Sequence, residues 1–136
     1  MQKAVEWYTK AAEQEDLFAM KWLVNHYKSS KGEQQDYQKA VEWYTKAAEQ
    51  GLTNAQCNLG YCYQNGEGVE QDMQKAVELY TKAAEQGHAV AQFNLGKCYY
   101  DGEGVEQDMQ KAVEWYTKAA EQGDEDAQEA LKRLRK

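Results

Sequence analysis

The residues of this chain best suited to chemistry are three thiols, Cys57, Cys62 and Cys98, two imidazoles, His26 and His88, and the carboxylates of DGEGVEQD at 101–108. Such groups hold zinc, activate a nucleophile or bind calcium when their spacing brings them together. Here the spacing does not. Cys57 and Cys62 stand five apart, which is no metal-ligand interval on a helix, and neither a C-x-x-C pair nor a histidine pair supports zinc. The histidines are 62 residues apart, with no acid or nucleophile at a diagnostic distance. The acidic stretch lacks the alternating ligands and closing bidentate Glu of a calcium loop, and its Asp108 is placed to cap a helix. Its G-x-G follows no strand and is too short for a phosphate-binding fingerprint. The expectation is therefore no catalytic residue, no metal and no cofactor. Cys62 and Cys98 read as semi-buried small hydrophobes, and Cys57 is expected to face the groove.

Composition narrows the partners. Sixteen Lys and Arg against 23 Asp and Glu leave a net charge of -7, the wrong sign for a general nucleic-acid binder. The one basic run, KRLRK at the end, suits a helix C-terminus. With 42% hydrophobic residues, 29% charged and no proline, the chain reads as helical, with no membrane span. An odd number of cysteines and no recognisable secretory leader point to a reducing compartment, cytoplasmic in the simplest case, unless the chain is a piece of a secreted or periplasmic protein.

What positions these residues is a repeat. QKAVEWYTKAAEQ begins at Gln2, Gln38 and Gln110, and at Gln74 with Leu79 in place of the tryptophan, at steps of 36 residues between neighbouring copies. A period of this length signals stacked units of paired helices. The first helix of a unit sets Ala55, Leu59 and Tyr63, then Ala91, Leu95 and Tyr99, on one face, with Gly60 and Gly96 inside the pattern. A glycine there costs about 1 kcal/mol against alanine, so its repetition predicts a neighbouring helix too close for a side chain. The second helix opens at Asp36, Asp72 or Asp108, buries Ala76, Tyr80 and Ala83, and closes at Gly51, Gly87 or Gly123. Its Trp and Tyr are expected to pack within and between units. The spacing divides the chain into a half-repeat at 1–14, a degenerate repeat at 15–50, repeats at 51–86 and 87–122, and a capping helix at 123–136. The degenerate unit carries Glu15, Val24 and Ser30 where the others have glycine, and the cap places Lys132 and Arg135 where Gly96 and Tyr99 stand one period earlier. The second-type helix at the amino end has no partner before it, and its Val5, Trp7 and Tyr8 are candidates for self-association.

The pattern A-x-x-x-L-G-x-x-Y, then G-x-G-V-x-x-D, then K-A-V-E-W-Y-x-K-A-A-x-Q-G closely resembles the Sel-one-like repeat family, relatives of tetratricopeptide repeats. It is carried by Ala55, Leu59, Gly60, Tyr63, Gly66, Gly68, Val69, Asp72, Lys75, Ala76, Tyr80, Ala83, Ala84 and Gly87, and by their equivalents one period on. The resemblance implies an all-α, right-handed superhelix of antiparallel helix pairs, about eight helices in all. It also implies a non-enzymatic adaptor or scaffold that holds a protein or peptide on a concave face lined by first helices. The tetratricopeptide groove positions, carried onto this chain, give Phe18, Lys21, Asn25 and Lys28, then Asn54, Cys57, Tyr61 and Gln64. The next unit supplies Val90, Phe93, Lys97 and Tyr100, and the last helix Asp126, Glu129 and Arg133. A cysteine-rich branch of the family, associated with penicillin-like or cell-wall compounds, has a disulfide in each repeat. The corresponding positions here hold Ala84 and Gln92, a departure that disfavours that reading.

Overall fold

Short helices hold only if their exposed backbone ends find partners, and this chain supplies them at repeated positions. The computed structural model describes residues 2–13, 17–29 and 36–134, and within them it has eight helices and no strand. These are α1 (Gln2–Glu13), α2 (Leu17–Ser29), α3 (Asp36–Glu49), α4 (Thr53–Asn65), α5 (Met73–Glu85), α6 (Ala89–Asp101), α7 (Met109–Glu121) and α8 (Glu125–Leu134). The side chains of Val5, Val24, Asn25, Lys28 and Asp36, and residues Glu15, Ser30 and Arg135, lie outside the described set.

The expected caps form. Asp72 and Asp108 each accept a hydrogen bond from the backbone N–H three residues on, at 3.1 Å. First-type helices have their own capping position: Asp124 accepts from the Ala127 N–H at 2.9 Å, and the His88 Nδ1 accepts from the Ala91 N–H at 3.1 Å. Leu52, at the same place before α4, offers no side-chain cap. Second-type helices end alike. Beyond α5, the His88 N–H reaches the Ala83 carbonyl while Gly87, at φ 91°, turns the chain left-handed.

The chain forms two compact units, Met1–Gln71 and Asp72–Lys136. In the first, α1 packs on α2, α2 on α3 and α3 on α4. Its interior holds Leu23, Tyr44, Ala47, Ala55, Leu59 and Cys62. In the second, α5 packs on α6, α6 on α7 and α7 on α8, around Tyr80, Ala83, Ala91, Leu95, Tyr116 and Ala119. Alanine recurs wherever helices meet, which lets their axes approach closely.

The sharpest approach is at Gly96. A methyl group there would sit 2.8 Å from the Tyr116 ring and 3.2 Å from the Ala112 carbonyl oxygen. The mid-helix glycine thus marks a close crossing, as its repetition predicts. Gly104 plays a similar part in the loop before α7. At φ 74° it lies so near the start of α5 that a Cβ would come within 2.5 Å of the Met73 carbonyl oxygen.

The identical string does not meet identical surroundings. Trp43 is 6% exposed and Trp7 76%, so packing within the stack holds for the first and not for the second. The Tyr8 ring stacks on Trp22, centroids 4.3 Å apart.

Helix propensity alone favours Gly96→Ala by about 1 kcal/mol, but the buried Tyr116 ring has to move. A net loss of about 2 kcal/mol is expected, read as a lower urea midpoint at unchanged slope; a stabilised variant would show that the crossing is not tight.

Candidate functional site

In the second unit, first-type helices α6 and α8 carry their variable residues on one face, at spacings of three and four. Phe93, Lys97 and Tyr100 from α6 and Asp126, Glu129 and Arg133 from α8 line one cleft of about 360 Å³. All six belong to the expected recognition set. The Tyr116 ring from α7 also lines the cleft, Ala130 and Leu134 add apolar lining, and Asp101 adds a carboxylate. Phe93 leans on Tyr116, ring centroids 5.6 Å apart and tilted by 35°. Burial raises the Tyr116 phenol to about 12, helped by nearby Asp101, so it stays a neutral donor. Val90, expected alongside these residues, is exposed on α6 but outside the cleft lining.

In the first unit the expected residues divide. Phe18 and Tyr61 are exposed, 69% and 53%, as are Lys21 and Asn54, and Gln64 is half-buried. Cys57 corrects the expectation: it is buried, 5% exposed, and cannot read a partner at the surface. Its side chain is too short to reach out from a position where Phe93, one period on, extends into a cleft.

The other thiols behave as small hydrophobes. Cys62 and Cys98 are 4% and 3% exposed. Burial, then the nearby Glu67, pushes the Cys62 thiol up to about 12. Burial, then Glu103 and Asp101, raises Cys98 to about 11, against the opposing pull of Lys97. A thiol held protonated is a poor nucleophile. Among the described residues no three His, Cys, Asp or Glu side chains converge as a metal would require, and no helix is long and apolar enough to cross a membrane.

Sequence reasoning missed the glutamines. Gln92 is buried, and its Nε2 donates to the Ala84 carbonyl at 3.1 Å. Gln56 does the same to Ala48 at 3.3 Å and Gln128 to Ala120 at 3.2 Å. Gln122 then donates to the Gln92 Oε1 at 2.9 Å. The 36-residue recurrence of these glutamines was the available signal. Residues 84 and 92, where the cysteine-rich branch is expected to have its disulfide, are thus joined by a hydrogen bond. The Lys46 and Lys118 ammonium groups lie over the Trp43 and Trp115 rings, 4.8 and 4.7 Å from the centroids.

Comparison with known proteins agrees with this architecture. The family model described as Sel1 repeat matches residues 1–16, 25–52, 53–88 and 89–124. A protective antigen of uropathogenic Escherichia coli displaying an SLR fold is 45% identical with a TM-score of 0.80, covering 88% of this chain and 26% of its own. A Sel1 repeat protein from Oxalobacter formigenes is 40% identical with a TM-score of 0.77, over 90% of this chain and 50% of that one. The chain thus spans about a quarter and a half of these two structures. Helicobacter pylori cysteine rich protein B is 33% identical with a TM-score of 0.70, over 93% of this chain and 90% of its own. Among curated proteins none matches significantly.

The buried thiols give a direct check. At pH 8 the folded protein should leave Cys57, Cys62 and Cys98 almost unlabelled by a chromogenic aromatic disulfide, and denaturant should release all three. The unfolded chain ionises its thiols near 9, whereas folded Cys62 and Cys98 wait until about 12 and 11. Their contribution to stability is therefore complete below pH 9 and falls as pH rises through that window. Fast labelling of the folded protein would contradict the packing role.

Proposed function

We propose, for a chain that belongs to the Sel1 repeat family, a role as a non-enzymatic interaction module that holds a protein or peptide segment against its first-type helices. Sel1 repeat proteins are generally helical-repeat scaffolds for protein interactions. The supporting observation is that six of the seven recognition residues expected on α6 and α8 line one cleft. The cleft combines aromatic surface, which supplies contact area at low entropic cost, with cations and carboxylates that fix orientation. In the first unit the exposed Phe18 and Tyr61 rings present the same kind of surface.

Residues identical in every copy serve the stack under this reading, and residues that change between copies select the partner. The same first-helix position reads Asn25, Tyr61, Lys97 and Arg133 in successive units. Each repeat thus offers a different chemistry at that position.

Changing Phe93, Tyr61 and Lys97 together to alanine should leave the far-ultraviolet helical spectrum essentially intact and abolish capture of a partner that the parent protein retains on affinity resin. Unchanged capture by the folded triple variant would remove this surface from the binding account.

A further inference from the structure

We infer that the α6–α7–α8 cleft selects an extended segment with a large apolar side chain, an acidic residue two positions to one side and a basic residue two positions to the other. This rests on the interaction role proposed above and names the chemistry of the partner. The cleft has opposite charge at its two ends. Helices α6 and α8 are the same element one period apart, so residues separated by 36 share a level along them. By this register Asp126 lies at the first level and Glu129 at the next, the level of Phe93. Lys97 and Arg133 share the level one turn further on, and all five line the cleft. Asp101, beyond them, leaves two cations against one carboxylate at that end.

The helix dipole accounts for only part of this layout. Acidic residues in the first turn of α8 and basic ones in its last suit its own dipole. Lys97, however, lies on α6, whose last turn has no basic residue and whose first turn has no acidic one. The pairing of Lys97 with Arg133 across the cleft is therefore a feature of the cleft and not of one helix end.

Size and spacing set the occupant. About 360 Å³ falls at the small end of pockets that hold a ligand, room for one large side chain and not for a folded surface. Phe93 and Tyr116, with the apolar Ala130, receive that side chain. One helical turn advances about 5.4 Å. Two residues of an extended chain advance about 6.6 Å and return the side chain to the same face. An apolar residue at the centre thus carries its neighbours at plus and minus two over the acidic and basic ends, with their charges complementary.

Fluorescein-labelled heptapeptides test the pattern by anisotropy. A central Phe is flanked at minus two and plus two by Lys and Glu, Glu and Lys, Gln and Gln, Lys and Lys, or Glu and Glu, and a last peptide has Ala in place of Phe. One of the two mixed-charge peptides should bind about tenfold more tightly than the Gln, like-charge and Ala versions, an advantage that shrinks as salt rises. In the folded Lys97→Gln/Arg133→Gln protein, exchanging the Glu of that peptide for Gln should no longer matter. Equal binding by all the Phe peptides, or an advantage that survives in the double variant, overturns the charge pattern while leaving the interaction role intact. Binding by none overturns the proposal as well; the interaction role then stands or falls separately, on whether the Phe93, Tyr61 and Lys97 triple variant loses its captured partner.

Discussion

The Tyr116 ring resting on the bare backbone of Gly96 sets the geometry on which much of the second unit depends. A Cβ on Gly96 would lie 2.8 Å from that ring and 3.2 Å from the Ala112 carbonyl oxygen, so α6 and α7 cross too closely there for even a methyl group. The same ring then meets Phe93, one turn earlier on α6, and forms part of the cleft between α6 and α8. Scaffold and candidate site therefore share one side chain. The cost of a mid-helix glycine, about 1 kcal/mol, is offset by burial of a large ring that is 4% exposed and serves both purposes.

The four copies of QKAVEWYTKAAEQ show what a repeat leaves undetermined. Their tryptophans range from 6% exposed at Trp43 to 76% at Trp7, although the residues around them in sequence are the same. The valine of the string is buried at Val77, 7% exposed, and open at Val113, 40%. Val77 lies under the Gly104 loop of the following repeat. For Val77 the cover comes from the following repeat, so its burial belongs to the position of its copy and not to the string. In the degenerate unit, the aromatic contacts are of another kind: Trp22 stacks between Tyr8 and His26, 4.3 and 5.0 Å from their centroids.

This explains what the amino-acid sequence could and could not convey. Caps at Asp72 and Asp108, left-handed turns at Gly51, Gly87 and Gly123, and the tight crossing at Gly96 follow from backbone chemistry local to each residue, and each was legible. Phe93 and Glu129, like Lys97 and Arg133, stand 36 residues apart, and all four line the cleft. Cys57 was not, since its depth depends on the reach of its side chain relative to its surroundings. The cap at His88 was missed because an imidazole serves as a cap only through one nitrogen, and its partner is a backbone N–H that no sequence pattern marks.

The bonds that hold the repeat are directed largely at backbone, and that is what leaves its surface free to differ. Gln71 donates to the Gln64 carbonyl and Gln107 to the Tyr100 carbonyl, both at 2.8 Å, fixing the loop after α4 and after α6 in the same way. The residues so gripped are an amide in one repeat and a phenol in the next, at a position expected to face a partner. A carbonyl accepts equally well whatever side chain its residue carries. The Gln56, Gln92 and Gln128 amides likewise grip carbonyls at the ends of α3, α5 and α7. Where a disulfide would fix two side chains in each unit, these contacts specify one side chain and leave the other position open. The fold can therefore keep one architecture while presenting Gln64 in one copy and Tyr100 in the next, which is the freedom an interaction surface requires.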